Sequence, residues 1–274
     1  VFDQIDVNLR QALICRVTGA FEAAEIRIEP ALGAAYDLAE PYRQATAFGH
    51  YADLHLARIS AGAPNDAENA VVQRQLRRAI EWQRLALDAC RDLRERLGEI
   101  PLLHRIAMTH ERLGMYAEAL EYLESCAALT REIGMPRSQA TTLLLMAQVH
   151  QRRQEWDKAL DAAQQCLPLL NDASASAAHI AMASSLREMD RKDEALRAFE
   201  RGYESLRQSD NLADQLLCLR EIAVLRRELG AHAAALEALR DAIDLAHAMK
   251  APIENTLQTM LGEWTAATPP RPSR

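Results

Sequence analysis

The sequence contains few aromatic residues and few turn-forming residues for its length. Of its 274 residues, 5% are aromatic, ten are glycine and ten are proline. This composition excludes collagen-like chains and chains that consist mostly of low-complexity linkers. The five cysteines are too few for a disulfide-rich fold, and they form no Cys-x-x-Cys pair. We therefore expect reduced thiols and a cytoplasmic protein.

Long apolar runs and excess positive charge are also missing. No stretch approaches the roughly 18 uncharged apolar residues of a membrane-spanning helix, and the first residues do not resemble a secretion signal. The formal net charge is -7 at pH 7. Nucleic acid and anionic membrane surfaces attract proteins with a dense positive field. We expect neither to be a partner of this segment.

Motifs that would indicate catalysis or a bound nucleotide are absent from the sequence. It has no Gly-x-x-x-x-Gly-Lys, Gly-x-Gly-x-x-Gly, Gly-x-Ser-x-Gly or His-Glu-x-x-His pattern. Neither His50 with His55 nor His104 with His110 has the three- or four-residue spacing that places two metal ligands on one helical face. We predict no enzymatic activity, no cofactor and no metal site.

What the sequence does have is abundant alanine among Leu, Glu, Arg and Gln, which favour helices. We predict an all-α chain. Small residues recur at steps of 40, 36 and 40 residues in three series: Ala107, Ala147, Ala183 and Ala223; Ala119, Ala159, Ala195 and Ala235; and Cys126, Cys166, Gly202 and Ala242. These series predict four repeats, at about 101–136, 137–172, 173–210 and 211–250.

A further series on the same steps marks a turn within each repeat. It consists of Gly114, Gln154, Asp190 and Gly230. Glycine suits the residue after a helix because it adopts the left-handed conformation without a steric penalty, and Gln154 and Asp190 depart from this rule. Apolar residues at helical spacing flank each position. Each repeat is therefore predicted to be helix, tight turn, helix.

Position by position, these repeats resemble the tetratricopeptide repeat family. The resemblance covers about residues 101–250 and implies an α-solenoid of stacked helical hairpins. Repeats of 40 residues are similar to the longer repeats of bacterial signalling proteins and of some scaffolds. The sequence departs from the family pattern where an aromatic residue is usual late in the first helix, at His110, His150, Leu186 and Arg226. We interpret the two histidines as packing residues.

The regions that flank the repeats are predicted to be helical but less regular. Residues 1–100 should form irregular hairpins, one over about 1–40 and another from helices at about 42–61 and 66–97. Pro30 and Pro41 should lie near helix starts. Residues 251–265, from Pro252 onward, resemble the capping helix of a solenoid. Residues 266–274 contain three prolines and are predicted to be a flexible linker or tail.

The resemblance implies a peptide-binding groove lined by the first helix of each repeat. It places ten candidate residues there: His104, Met108, Arg112, Gln148, Gln151, Arg152, Ser184, Arg187, Arg220 and Arg227. The arginines at 112, 152, 187 and 227 would form a ladder near the helix ends. Such a ladder suits an acidic peptide or a carboxylate terminus. Arginine near a helix C-terminus is also stabilised by the helix dipole without any ligand, so the sequence leaves both interpretations open.

The function that the resemblance implies is protein or peptide binding. Because the chain begins without methionine and ends in a proline-rich segment, we expect the N-terminal regulatory or sensory region of a larger bacterial signalling protein. Diguanylate cyclases and LuxR-type regulators have similar regions. The alternative is a stand-alone scaffold or adaptor without an output domain. A homodimer stays open as well, although no heptad series supports one.

Overall fold

The computed structural model describes residues 2–17, 20–37, 43, 46–47, 49–51, 53–54, 66–171, 174–207 and 209–266. Within these ranges the chain forms helices and no strand, which confirms the predicted all-α class. The chain divides into two compact units, Val1–Leu145 and Met146–Arg274.

The first unit contains an N-terminal hairpin and the first helices of the repeat region. Its helices are α1 (Phe2–Val17), α2 (Phe21–Asp37), α3 (Asp66–Asp92), α4 (Arg96–Arg112), α5 (Tyr116–Ile133) and the larger part of α6 (Pro136–Arg152). α1 packs against α2 as a hairpin. Pro30 lies inside α2 and not near its start, so that expectation is wrong. Pro41 and most of the predicted helix at 42–61 lie outside the described residues.

The predicted continuous helix over 66–97 is interrupted by a turn. α3 ends at Asp92, and α4 begins at Arg96. Arg94 has a φ of 56°, and its amide donates to the Arg91 carbonyl at 2.9 Å. The amide of Glu95 donates to the Cys90 carbonyl, also at 2.9 Å. This pair of bonds closes a helix in the Schellman manner, and it forms here without glycine or proline, which explains why the sequence did not reveal the turn.

The second unit continues the repeats. After the end of α6 come α7 (Trp156–Cys166), a 3₁₀ turn (Leu167–Leu169), α8 (Ser176–Glu188), α9 (Lys192–Leu206), α10 (Leu212–Glu228), α11 (His232–Ala248) and α12 (Glu254–Ala266). From α7 onward each helix packs against the next one. The chain is therefore built from stacked helix-turn-helix repeats. α12 follows Pro252 and buries Leu257 completely.

The turn positions read from the sequence all adopt the left-handed conformation. The φ values are 75° at Gly114, 60° at Gln154, 57° at Asp190 and 79° at Gly230. At the first of these turns, the amide of Met115 donates to the His110 carbonyl at 2.9 Å. The same closure works with glutamine and aspartate, at a steric cost that glycine avoids.

The recurring small residues form the contacts between helices. Ala147, Ala183 and Ala223 have no exposed surface, and Ala107 is 1% exposed. At Gly202 of α9, an added β-carbon would lie 3.3 Å from Ile180 Cγ1 of α8. Such a contact would be tighter than most, so the missing side chain favours the close approach of α8 and α9.

Candidate functional site

The ten candidate residues lie on the first helices of the repeats. α4 carries those numbered 104–112, α6 those numbered 148–152, α8 carries Ser184 and Arg187, and α10 carries Arg220 and Arg227. The α4 residues belong to the first unit and the others to the second. Met108 is 47% exposed, and Arg112, Gln148 and Arg152 are exposed as well. The remaining six are partly buried.

The four arginines of the predicted ladder do not occupy one equivalent position. Counted back from the left-handed turn residue of each repeat, Arg112 and Arg152 lie two residues before the turn. Arg187 and Arg227 lie three residues before it. One residue rotates a helix by about 100°, so the two pairs point in different directions. This explains why the first pair is exposed and the second is partly buried.

Gln151 lies in the same row as Arg187 and Arg227, and it links α6 to α8. Its Nε2 donates to the Ala181 carbonyl at 2.9 Å and to Ser185 Oγ at 3.0 Å. Ser185 is buried, so this bond satisfies a hydroxyl that water does not reach. Ser184, by contrast, donates to the Ile180 carbonyl of its own helix at 2.9 Å. Of these two neighbouring serines, Ser185 makes the contact to another repeat.

Arg187 makes the equivalent link from α8 to α10. Its Nη1 donates to Oε2 of Glu221. Arg220, on the same helix as Glu221, donates to the other carboxylate oxygen from Nε at 3.1 Å and from Nη2 at 2.6 Å. We refer to these three residues as the Arg187–Glu221–Arg220 cluster. Sequence reasoning missed Glu221, although its place beside a candidate arginine was a usable signal.

Burial divides the cluster into an inner anion and two outer cations. The Glu221 side chain is 9% exposed, whereas those of Arg187 and Arg220 are 37% and 35% exposed. A buried carboxylate stays ionised when charged donors compensate it. Within the described part of the chain, neither guanidinium makes another hydrogen bond. The cluster therefore has one more positive charge than negative and has N–H donors to spare.

Arg227 continues the row and links α10 to α12. Its guanidinium carbon lies 4.8 Å from the ring centroid of Trp264. At this distance the cation is attracted by the negative face of the indole. Each of Gln151, Arg187 and Arg227 therefore contacts the helix that lies two further along the chain. The three contacts are a pair of neutral hydrogen bonds, an ion pair and a cation–π contact.

The candidate residues on α4 have a different character. His104 Nε2 lies 2.8 Å from Thr142 Oγ1 of α6. Burial lowers the pKa of His104 below its ordinary value of 6.5, so the imidazole is neutral at pH 7. His110, on the same helix, stacks on the Tyr122 ring with the centroids 5.5 Å apart. That contact agrees with its interpretation as a packing residue.

Two buried cysteines, Cys166 and Cys218, lie in the second unit. Burial raises the pKa of Cys166 to about 11 and, as the larger of two causes, that of Cys218 to about 12. Both thiols are therefore protonated and weak nucleophiles at neutral pH. No group of three or more His, Cys, Asp or Glu residues among the described ones is arranged to hold a metal ion. None of the described helices has the length and apolarity to span a bilayer.

Hairpins that stack through small residues, with left-handed turns 36 or 40 residues apart, define an α-solenoid repeat protein. Residues 99–172 match the family model of the tetratricopeptide repeat. This match confirms the predicted resemblance of the repeats to that family. The sequence matches no curated protein.

Solved structures share the fold at low sequence identity. BtubC from P. vanneervenii is 16% identical over 98% of this chain and 95% of its own, with a TM-score of 0.68. A second similar structure is a Signal Transduction ATPase with Numerous Domains from Pyrococcus horikoshii, which carries a tetratricopeptide repeat sensor. It is 12% identical, the match covers 94% of this chain and 38% of that protein, and the TM-score is 0.74. The quorum sensor NprR from B. thuringiensis is 14% identical over 93% of this chain and 68% of its own, with a TM-score of 0.65. These similarities establish the fold.

Proposed function

We propose that this segment is a protein- or peptide-binding module that regulates a larger bacterial signalling protein. Its partner presents an acidic residue or a carboxylate terminus to the Arg187–Glu221–Arg220 cluster. The observation that carries the proposal is the pair of partly exposed guanidinium groups held around one buried carboxylate.

The cluster favours a carboxylate for two physical reasons. Glu221 fixes both arginines before any ligand arrives, so that less side-chain entropy is lost when a ligand binds. The cluster also carries an uncompensated positive charge, and a guanidinium can bind a carboxylate through two parallel hydrogen bonds.

The regulatory part of the proposal is supported by two of the structural neighbours. One is described as a signal transduction ATPase with a tetratricopeptide repeat sensor, and the other as a quorum sensor. This chain spans only 38% of the first protein's length, so in that protein the shared fold is one region of a longer chain. We propose a diguanylate cyclase as the output domain, because the 40-residue repeats resemble those of bacterial signalling proteins of that kind. A ligand can switch such a domain only if it binds the two states with different affinity.

The binding site is tested with labelled peptides and two matched arginine variants. Fluorescence anisotropy should show that a glutamate-rich peptide binds, while the same peptide with glutamine in place of glutamate does not. Arg220→Gln should weaken binding about tenfold, as expected for one charge-assisted hydrogen bond. Arg240→Gln, at an exposed arginine of the second helix α11, should leave the affinity unchanged. Equal affinity for both peptides would exclude the proposed recognition.

The regulatory context is tested separately by the intact mass of the protein expressed from its native locus. A product much heavier than 30.6 kDa, with a second domain, would support the regulatory role. A product of about this mass would contradict it and favour a stand-alone scaffold.

A further inference from the structure

Two helices of the first unit carry net charges of opposite sign. Residues 74–84 of α3 contain four arginines and one glutamate, a net charge of +3. Residues 116–130 of α5 contain three glutamates and no basic residue, a net charge of -3. α4 packs against both helices. Small and apolar residues make the contacts between the repeats, so their stacking requires neither charge.

The positive charge forms one face of α3 together with an exposed leucine. Arg77 and Arg84 are seven residues apart, as are Arg78 and Leu85, and this spacing places all four on one side of the helix. The three arginines are exposed, and Leu85 is 44% exposed. Within the part of the chain that the structure describes, none of these arginines forms an ion pair or a side-chain hydrogen bond. Their charge therefore faces solvent without compensation.

α5 carries an acidic face of similar construction. Ala117, Glu121, Glu124 and Ala128 follow one another at steps of four, three and four residues, so they lie on one side of the helix. All four are exposed. Among the described residues, neither glutamate side chain has an ion-pair or hydrogen-bond partner. The two alanines leave room beside the carboxylates for a larger apolar side chain.

The basic and the acidic face adjoin each other at His110 of α4. Burial is the main cause that lowers the pKa of His110. The charge of Arg84 lowers this pKa as well, whereas the charges of Glu118 and Glu121 raise it. Charges act on a group in this way only at short range. The two faces therefore form one surface of two signs, on which α5 repels an acidic partner and α3 repels a basic one.

We propose that this surface joins two copies of the chain in a symmetric dimer. A twofold axis sets α3 of one copy against α5 of the other and repeats the same contact on its far side. The basic face then meets the acidic face twice, and Leu85 of each copy packs against the exposed alanines of α5 in the other. A second copy fits this surface because it presents the same two faces in the complementary arrangement. The inference does not rest on the proposed peptide site, which lies on α8 and α10.

The oligomeric state of the full chain tests the inference. Sedimentation equilibrium at low ionic strength should show a concentration-dependent mass that approaches twice the 30.6 kDa of one chain. The dimer Kd should rise about tenfold or more when salt is raised to about 0.5 M, because screening weakens attraction between exposed charges. A chain that is monomeric at millimolar concentration in low salt overturns the inference.

Complementary charge reversals identify the surface. The first variant combines Arg77→Glu with Arg84→Glu. The second combines Glu121→Arg with Glu124→Arg. Each variant sets like charges against each other twice in its own dimer, so each should raise the dimer Kd about tenfold or more. An equimolar mixture should form a heterodimer with about the wild-type Kd, because each reversed face then meets a face of opposite sign.

The mixture also controls for folding, since only folded variants can restore the dimer. The inference is wrong if both variants dimerise like the wild type, or if their mixture stays monomeric.

Two further variants control for net charge and for the peptide site. Arg197→Glu combined with Arg201→Glu changes the net charge as the first variant does, but on the exposed side of α9. It should dimerise like the wild type, and an equal loss of dimer there would overturn the inference. Arg220→Gln should also keep the wild-type dimer Kd. A loss in that variant would contradict the separation of the dimer surface from the peptide site.

Discussion

The first helix of each repeat buries the same positions in both units, but the side chains next to these positions differ between the units. On α4, His104 is a partly buried imidazole bonded to Thr142. On α8 and α10, Arg187 and Arg220 hold the buried carboxylate of Glu221. Yet Ala107 and Ala183 are equally buried. The repeat therefore determines which residues pack, while the charge at the neighbouring positions varies. The strongest candidate for anion binding, the Arg187–Glu221–Arg220 cluster, lies in the second unit.

The largest expected effect tests the shared part of this comparison. Ala107→Leu and Ala183→Leu each insert a large side chain where helices are already in contact. Each should lower the free energy of unfolding by about 1–3 kcal/mol, because the core must shift to accept the added atoms. Urea unfolding followed by circular dichroism measures the cost.

Ala177→Leu is the matched control for the alanine variants. It lies on α8 and is exposed, so the added side chain enters solvent and should change stability by less than about 0.5 kcal/mol. Equal tolerance of leucine at all three positions would show that the repeat register assigned to these helices is incorrect.

The next effect tests the difference between the units. Glu221→Gln removes the negative charge that Arg187 and Arg220 share and leaves two cations beside a neutral amide. We expect a loss of about 1–2 kcal/mol, reduced from the cost of a fully buried pair because both guanidinium groups reach solvent. Thermal and urea unfolding at low and high salt measure it, and salt should reduce the loss.

Glu188→Gln provides the control for Glu221. This glutamate follows Arg187 on α8 and is exposed, so its substitution should be close to neutral. A cost as large as that of Glu221→Gln would mean that net charge, and not the buried contact, determines the effect.

The sequence was sufficient to predict the all-α class and the four turns inside the repeats. Small residues and apolar stripes report packing directly, since a buried position such as Ala147 tolerates few side chains. The same reasoning failed at Arg94, because backbone bonds close that turn without glycine. A left-handed residue that is not glycine leaves no compositional signal.

The candidate site could be predicted only as a set of helices and not as a set of contacts. Arg187 pairs with Glu221 across 34 residues, and Arg227 contacts Trp264 across a similar separation. Such pairs depend on the register of one helix against another. A difference of one residue separates Arg187 from the row of Arg152, and side-chain type alone does not reveal it.

A smaller effect compares turns in the two units. Gly114 and Gln154 both adopt the left-handed conformation, and a β-carbon at Gly114 would contact nothing within 4 Å. Gly114→Ala should therefore cost about 1 kcal/mol through backbone strain alone. Gln154→Gly should stabilise by about 0.5–1 kcal/mol, because it relieves that strain. Thermal unfolding should show shifts of opposite sign, and shifts of the same sign would contradict this account.

The smallest effect is a pH dependence that originates in α4. Burial lowers the pKa of His104 below 6.5, so the unfolded chain takes up a proton at higher pH than the folded chain does. The imidazole's contribution to stability is complete above pH 6.5 and is lost as the pH falls from there toward the folded pKa. NMR titration of the His104 ring should give a midpoint below 6.5. Denaturant unfolding should show that the wild type loses more stability than His104→Gln does as the pH falls through this range. A difference that stays constant would mean that the ring is as well solvated in the folded chain as in the unfolded one, and the contrast between α4 and the charged helices α8 and α10 would then rest on the arginines alone.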